Sequence, residues 1–315
     1  MNGLNHNALT CSAVPIPPWE RSLQTVEAQP YFSVSQASLV LEGIVFDRNN
    51  NLLFVDVATG RVFKLTPERQ LSIVLKENSF GASGLAVHKD GRIFIASVGD
   101  MQRGSVRAIE PNGTREQMIV APDAGFLVND LVFDNQGGFY FTDSRGNSAD
   151  PQGGVFYVSP NVGSIHAILP GLAVGNGIAI DPAGSQIWSA TEHAKNRLHR
   201  VRLSDATTVA PFGSVVTYQF TGPAPDGARV DSEGNVYVAI SGQGRVMVFN
   251  RNGLPIGQIV LPDRDKGRNL KSTSLAIRPG HRELFIVANS GTEPGGAMIF
   301  RSGAYAPAPF PFSHQ

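Results

Sequence analysis

The chain has 315 residues, of which 42% are hydrophobic, with 34 glycines, 21 prolines, 26 basic and 26 acidic residues. A formal net charge of zero, without any basic run, gives no field to attract nucleic acid or an anionic membrane. No apolar stretch is long enough to cross a bilayer, and the N-terminus lacks the pattern of a signal peptide. We therefore expect a cytoplasmic protein that acts on small molecules; the oligomeric state is not predicted.

Residues 1–30 contain the lone cysteine, Cys11, and several prolines close to Trp19. We predict that they form an N-terminal extension and that residues 31–315 form one folded domain. A single cysteine excludes an intramolecular disulfide bond, which fits a reducing compartment. The segment 31–34 is predicted to be an outermost strand of the last repeat described below, so that the two chain ends pair.

Six repeats follow along the chain at intervals of roughly 40 to 50 residues, the length of one four-stranded propeller blade. In each repeat an oxygen-bearing side chain stands at a fixed distance before a turn rich in Asp, Asn, Pro and Gly. These six side chains are Glu42, Ser83, Asn129, Asn176, Asp226 and Thr273.

Each repeat continues with a second strand that carries one aromatic residue, and then with a third strand rich in β-branched and aromatic residues. The aromatic residues are Phe54, Phe94, Tyr140, Trp188, Tyr237 and Phe285. No amphipathic helical pattern interrupts this order. The sequence therefore predicts an all-β fold, a six-bladed β-propeller, and its repeats outweigh the two domains that length alone would suggest.

The repeated oxygen-bearing position predicts a site on the propeller axis, because the innermost strands of the blades surround the central channel. Four of the six side chains offer two carboxylates and two amide oxygens: Glu42, Asn129, Asn176 and Asp226. Such a set suits a hard divalent cation, Ca²⁺ above all. The alternative is a structural channel in which these groups bond to one another and to water. We favour the metal site, since neighbouring buried carboxylates are costly without a cation.

Other positions give weaker signals. The hydroxyl residues Ser83 and Thr273 are predicted to be channel-wall residues. His88 lies in a turn, and His193 and His199 are predicted on outer parts of blade four, so all three are expected to be surface or packing residues. Serine-hydrolase elbows, phosphate loops and dinucleotide fingerprints are absent from the sequence.

These motifs resemble the senescence marker protein, gluconolactonase and luciferin-regenerating enzyme family of six-bladed hydrolases. The resemblance covers nearly the whole chain and is carried by Leu41-Glu42-Gly43, Val128-Asn129-Asp130 with Phe141-Thr142-Asp143, Asn176-Gly177-Ile178-Ala179 and Pro225-Asp226-Gly227.

The resemblance implies a metal-dependent lactonase with Glu42, Asn176 and Asp226 as metal ligands. Asn129 would be a further ligand or would orient the substrate, and Asp226 would also transfer the proton. Mg²⁺, Mn²⁺, Zn²⁺ and Fe²⁺ are alternatives to Ca²⁺. Asp130 or Asp143 is a candidate to share proton transfer, the alternative for Asp130 being a bond to backbone.

The substrate class is predicted from the residues before Asn129. Sugar-lactone hydrolases of the family tend to place a basic residue two positions earlier, where this chain has Leu127, preceded by Phe126. With Tyr218 and Phe220, these side chains would form an apolar wall for an aromatic or alkyl lactone, unless they pack into the blade instead.

Two other functions remain open at this point. A related propeller can act on a non-lactone substrate, such as a phosphotriester or a specialised metabolite, or can bind partners without turnover. The ring of acids and amides favours an enzyme, because a scaffold does not need it.

Overall fold

The computed structural model describes residues 11–37, 39–76, 81–289 and 296–315, without the side chains of residues 189–191. Within these ranges the chain forms strands and short 3-10 helices, and none of its helices is long and apolar enough to span a membrane. The 3-10 helices are Pro18–Glu20, Pro122–Ala124, His193–Lys195, Arg264–Lys266 and Phe312–His314.

The first two strands, β1 (Gln24–Glu27) and β2 (Gln29–Ser35), precede the repeats. The strands of blades 1 to 3, from the channel outwards, are β3 (Leu41–Phe46), β4 (Leu52–Asp56), β5 (Arg61–Leu65) and β6 (Leu71–Leu75); β7 (Ala82–Val87), β8 (Ile93–Ser97), β9 (Ser105–Ile109) and β10 (Gln117–Val120); and β11 (Val128–Phe133), β12 (Phe139–Asp143), β13 (Gly153–Val158) and β14 (Ile165–Leu172).

Blades 4 to 6 follow the same antiparallel order. Their strands are β15 (Ile178–Ile180), β16 (Gln186–Glu192), β17 (Arg197–Asp205) and β18 (Thr208–Gln219); β19 (Pro225–Val230), β20 (Val236–Ile240), β21 (Arg245–Phe249) and β22 (Pro255–Val260); and β23 (Lys271–Ile277), β24 (Glu283–Asn289) and β25 (Ala297–Gly303). The innermost strands contact one another in the order β3, β7, β11, β15, β19, β23 and back to β3. This closed ring confirms the six-bladed β-propeller.

The chain ends meet in blades 5 and 6. β2 pairs antiparallel with β25 and supplies the fourth strand of blade 6, with Phe32 opposite Ile299, which confirms the pairing predicted for residues 31–34. β1 pairs parallel with β22 and gives blade 5 a fifth strand. The N-terminal chain is therefore built into two neighbouring sheets.

The aromatic residue of each second strand is buried between blades, where it fills the core. Trp188 and Tyr237 are fully buried, and Phe285 is 5% exposed. In blades 1, 3, 4 and 5 the turn before the second strand is held by an aspartate at its first position. In blade 3, the Oδ1 atom of Asp134 accepts hydrogen bonds from the amides of Gln136 and Gly138, at 2.7 and 3.0 Å. These aspartates help to fix the register of their hairpins.

The innermost strands approach one another closely beside the repeated oxygen-bearing residues. A Cβ atom on Gly84 would lie 2.6 Å from the carbonyl oxygen of Asn129, and one on Gly177 would clash with the carbonyl oxygen of Asp226. Only glycine allows this approach. These contacts bring the starts of neighbouring inner strands to the same end of the channel.

The opposite end of the channel is covered by the C-terminal segment. Residues 308–313 line an apolar cavity of about 170 Å³, together with the last residues of the inner strands, among them Val45, Val132 and Ile180. The cavity is therefore separate from the repeated oxygen-bearing residues. Arg229 is one of the residues that line it.

Candidate metal centre

The inner strands place the four predicted ligands at one end of the channel. Glu42, Asn129 and Asp226 each stand second in their strand, and Asn176 precedes β15 by two residues. The side chain of Asn176 hydrogen-bonds to the carboxylate of Asp226, and the charge of Asp226 acts on Glu42. Residues separated widely in sequence are thereby joined in one polar cluster.

Burial and nearby negative charge destabilise the charged form of both carboxylates of the cluster. Burial raises the pKa of Asp226 to about 8, and the nearby negative charge of Asp130 adds to this effect, while hydrogen bonds from Asn176 and Ser241 oppose it. Burial also raises the pKa of Glu42 well above its usual value, and Asp226 and Asp130 raise it further. Both shifts have the cause expected for acids that lie close together in a water-poor site.

Asp226 also has an unsatisfied oxygen. Its side chain is 4% exposed, and its Oδ1 atom accepts no hydrogen bond from the residues that the structure describes. A buried carboxylate oxygen without a partner is costly unless a cation or a donor meets it. The donor set of carboxylates and amides fits an oxygen-seeking divalent cation at this position.

Many metal sites are built from acids, histidines and cysteines alone, whereas this candidate site combines two acids with two amides. Within residues 11–37, 39–76, 81–289 and 296–315, no group of three or more His, Cys, Asp or Glu side chains could hold an ion. The candidate centre contains only two such ligands, Glu42 and Asp226, so the amides of Asn129 and Asn176 would have to complete it.

The two hydroxyl residues of the ring join neighbouring blades. Ser83 donates to the carbonyl oxygen of Val128 at 3.1 Å, and Thr273 donates to that of Leu41. Each hydroxyl therefore links its own inner strand to the next one, in agreement with the prediction that Ser83 and Thr273 are wall residues.

The acids proposed to share proton transfer are both held by other groups. Asp143 is fully buried, accepts from the amide of Leu127 at 2.9 Å and pairs with Arg145 at 2.7 Å, although burial raises its pKa. Asp130 accepts from the amide of Leu131 at 2.9 Å and pairs with Arg229 at 3.0 Å. Asp130 therefore bonds to backbone, which is the alternative that the sequence left open.

The same backbone contact recurs in blade 1. The Oδ1 atom of Asp56, at the end of its second strand, accepts from the amide of Val40 at 2.9 Å. Asp56 and Asp143 each hold the residue that stands two positions before the ring residue of their blade. An acid at this place thus fixes the backbone just before Glu42 or Asn129.

The histidines divide into two groups. His199 bonds to Glu192 at 3.1 Å and His88 packs against Phe133 and Phe312, so both are packing residues as predicted. The prediction that His193 lies on an outer part of blade four is wrong. Its Nδ1 atom lies 3.1 Å from the carbonyl oxygen of Pro225 and 3.5 Å from Nδ2 of Asn176, and burial lowers its pKa.

His193 and Ser241 are the residues near the site that sequence reasoning missed. Both follow the end of a second strand, and Ile240, next to Ser241, pairs with Pro225 in the neighbouring strand. In an antiparallel hairpin the end of the second strand lies beside the start of the first. This pairing was the signal that could have found them.

The proposed apolar wall is only partly present. Tyr218 bonds to Glu20 at 2.6 Å and packs on Phe249, and Phe220 is buried in the same cluster, so the prediction that these two face the substrate is wrong. Phe126 packs against Phe141 and Phe156, at ring distances of 5.1 and 4.7 Å, in the core of its blade.

Leu127 is the member of the predicted wall that stands two residues before Asn129. It is 8% exposed, and its amide is fixed by Asp143 two residues before Asn129. The site therefore has no continuous aromatic wall made of these residues, because the rings of Phe126, Tyr218 and Phe220 pack against other aromatic residues.

Comparison with known sequences identifies relatives of this chain. A family model described as the SMP-30/gluconolactonase/LRE-like region matches residues 40–288. Lactonase drp35 of Staphylococcus saprophyticus is 43% identical over 301 residues, covering 94% of this chain and 92% of that protein. Lactonase drp35 of Staphylococcus aureus strain USA300 is 41% identical over 309 residues, covering 96% and 95%.

Solved structures share the fold at lower identity. Regucalcin of Agrobacterium tumefaciens, described as a calcium-binding protein, is 19% identical with a TM-score of 0.75, covering 93% of this chain and 99% of that one. A gluconolactonase of Xanthomonas campestris is 18% identical with a TM-score of 0.70, covering 93% and 100%. At these identities the structures show the propeller fold alone.

Proposed function

The chain belongs to the SMP-30/gluconolactonase/LRE-like family, and from this premise we propose that it is a metal-dependent lactonase, a hydrolase that opens the ester bond of a lactone. The family and the lactonases related to it at 41–43% identity support the reaction class. The observation that carries the metal dependence is the unpartnered, buried Oδ1 atom of Asp226 beside the carboxylate of Glu42.

Glu42, Asn176 and Asp226 would hold the cation, with Asn129 as a fourth ligand or a substrate-orienting amide. When bound, a divalent cation supplies Lewis-acid polarisation of the lactone carbonyl and stabilises the negative charge that develops there. We favour Ca²⁺, because the four predicted ligands offer oxygen donors and Ca²⁺ accepts flexible oxygen coordination; Mg²⁺, Mn²⁺, Zn²⁺ and Fe²⁺ stay alternatives.

Asp226 is the residue that we assign to proton transfer. Water adds to the lactone carbonyl carbon, the ring C–O bond breaks, and Asp226 passes a proton from that water to the leaving alkoxide. Asn176 and Ser241 hold its carboxylate in one orientation by hydrogen bonds. The partners of Asp130 and Asp143 described above make these two acids positioning groups in this scheme.

The substrate that we propose is an apolar or aromatic lactone. Leu127 stands two residues before Asn129 and has no side-chain group that could bond to a polyol. Each sugar hydroxyl that loses water without a new partner would cost about 1 to 3 kcal/mol. With Phe126, Tyr218 and Phe220 directed into the blades, this preference depends on Leu127.

We also propose that the protein works in the cytoplasm. Cys11 is free and exposed, as expected for a thiol in a reducing compartment.

The test is hydrolysis of dihydrocoumarin, an aliphatic lactone, gluconolactone and an organophosphate, with excess Ca²⁺ or with a chelator. We expect lactone turnover that chelation abolishes and that Ca²⁺ restores. Asp226→Asn should lose at least about 100-fold in kcat with the circular dichroism spectrum retained, since the proton-transfer group is gone. Full activity in a rigorously metal-free sample would contradict the metal role, and turnover of the organophosphate alone would contradict the lactonase.

A further inference from the structure

An ion pair crosses the central channel next to the candidate centre. Nη1 of Arg229 in β19 lies 3.0 Å from Oδ2 of Asp130 in β11, and the two side chains are 19% and 7% exposed. The pair joins blade 5 to blade 3 across the channel. Gly84 leaves room for it, since a Cβ atom there would lie 3.0 Å from Oδ1 of Asp130.

The pair also hydrogen-bonds to β3, which carries Glu42, and to β15, which follows Asn176. Nη2 of Arg229 donates to the carbonyl oxygen of Ile44 in blade 1 at 3.4 Å. Oδ2 of Asp130 accepts from the amide of Ile178 in blade 4 at 3.3 Å. Nη1 of Arg229 also donates to the carbonyl oxygen of Ala228 on its own strand at 2.6 Å.

Each bonded residue stands one to three positions from a candidate ligand. Ile44 follows Glu42, Asp130 follows Asn129, Ile178 follows Asn176, and Arg229 follows Asp226. One ion pair therefore touches the innermost strands of blades 1, 3, 4 and 5, which are the four blades that supply the acids and amides of the centre.

We propose that the Arg229–Asp130 ion pair is a cross-channel brace that sets the relative positions of Glu42, Asn129, Asn176 and Asp226, so that both residues are positioning residues for the cation. This inference rests on the proposed metal centre. A buried ion pair is weak support for stability in general, because desolvation offsets much of the attraction. Its better-attested use is to specify a geometry, and groups just behind metal ligands commonly alter cation affinity about 10- to 100-fold.

The decisive variant is the double substitution Arg229→Met with Asp130→Asn. It removes one positive and one negative charge, so the net charge of the site is unchanged while the ion pair of the brace is lost. Asparagine can still accept from one of the backbone amides. We expect the Kd for Ca²⁺, measured by isothermal titration of chelator-treated protein, to rise by about 10- to 100-fold.

A matched control is the buried pair between Glu20 and Arg245, which lies 2.6 Å apart in the packing of the N-terminal segment against blade 5. The double substitution Glu20→Gln with Arg245→Met is equally charge-neutral and lies outside the contacts of the centre. It should lower the melting temperature and leave the Kd for Ca²⁺ within about twofold of wild type. An equal rise in Kd in this control would overturn the brace, since any buried pair would then have the same effect.

Arg229→Lys provides a milder variant in case the double substitution does not fold. Lysine keeps the charge, but one ammonium group cannot bond to Asp130, Ile44 and Ala228 in the planar fork geometry of arginine. We expect an intermediate Kd. A wild-type Kd in Arg229→Lys, or in the folded double variant, would overturn the brace while the metal centre stands. Wild-type protein that binds none of Ca²⁺, Mg²⁺, Mn²⁺, Zn²⁺ and Fe²⁺ would instead overturn the centre, and the brace with it.

Discussion

The aspartates near the site differ in the ion pairs and hydrogen bonds that their carboxylates make. Asp143 is buried and held by Arg145 and the amide of Leu127, and Asp130 is held by Arg229 and two backbone amides. Asp226 keeps one oxygen without a partner among the described residues, and burial raises its pKa to about 8. Three buried aspartates of one channel therefore have different roles, and only Asp226 has an oxygen left for a ligand.

Substrate preference provides a prediction at the scale of one side chain. Wild-type protein should have a higher kcat/KM for dihydrocoumarin or a medium-chain lactone than for gluconolactone, because Leu127 offers no hydrogen bond to a hydroxyl. Leu127→Arg should narrow this ratio about tenfold by adding a donor worth about 1.5 kcal/mol. The matched variant Leu127→Met keeps an apolar chain of similar size and should leave the ratio unchanged. A wild-type preference for gluconolactone would contradict the assignment.

The sequence predicted the ring residues of the site but not their partners. Glu42, Asn129, Asn176 and Asp226 repeat in register, so the propeller places them together once the blades are recognised. His193 and Arg229 do not repeat in this way, and their contacts with Asn176 and Asp130 depend on how strands from different blades face each other. Tyr218 was misjudged because an aromatic residue near a site in sequence can pack into its blade instead.

At the scale of elements, both chain ends act as parts of the ring. β1 and β2 complete blades 5 and 6, and the C-terminal segment crosses the end of the channel opposite the candidate centre. The backbone oxygen of Ser313 accepts a hydrogen bond from Arg48 in blade 1, and that of Pro307 accepts one from Ser232 in blade 5 at 2.8 Å. The segment therefore links distant blades without contacting the predicted metal ligands.

Phe312 should carry much of the stability of this C-terminal segment. Its ring is 4% exposed and packs against His88 and Phe133, at ring distances of 5.0 and 5.5 Å. Phe312→Ala should lower the free energy of unfolding by about 3 to 5 kcal/mol, measured by denaturant titration. It should leave the Kd for Ca²⁺ unchanged, because the centre lies at the other end of the channel.

The neighbouring Phe310 is the control for this prediction. It belongs to the same segment but is 64% exposed, so Phe310→Ala should change the free energy of unfolding by no more than about 0.5 kcal/mol. Equal effects of the two substitutions would show that the segment does not depend on the buried ring.

At the scale of the whole molecule, the fold could be predicted from the sequence because the sequence pattern of a blade repeats six times. Every blade offers the same order of an oxygen-bearing residue, an Asp-rich or Gly-rich turn and a buried aromatic residue, so weak signals reinforce one another six times. The fifth strand of blade 5 could not be predicted in this way, since β1 lies outside the repeats and pairs parallel with β22. A closed ring also makes stability collective, because each blade packs on two neighbours.

The stability of the whole ring should fall as the pH rises in metal-free protein, and the bound cation should remove this fall. In metal-free protein the pKa of Asp226 is raised from 3.8 to about 8, so the folded state binds a proton that the unfolded state has released. The stabilisation from this proton is complete below about pH 4 and is lost as the pH rises through about 8. Glu42, whose pKa is raised as well, should add to the loss. Melting temperatures of chelator-treated protein should therefore fall from pH 5 to pH 8.

Excess Ca²⁺ should remove this decline, because a cation favours the ionised carboxylates and binds the folded state only. At a concentration 100 times the Kd it should add about 2.7 kcal/mol to the free energy of unfolding, and more at pH 8 than at pH 5, where protons compete for the ligands. Glu42→Gln should flatten the decline of the metal-free protein and weaken the response to Ca²⁺, since one of the two buried carboxylates is gone. Melting curves that are identical with chelator, with Ca²⁺ and with each of the alternative ions across this range would contradict the metal centre and favour a channel of hydrogen-bonded groups and water.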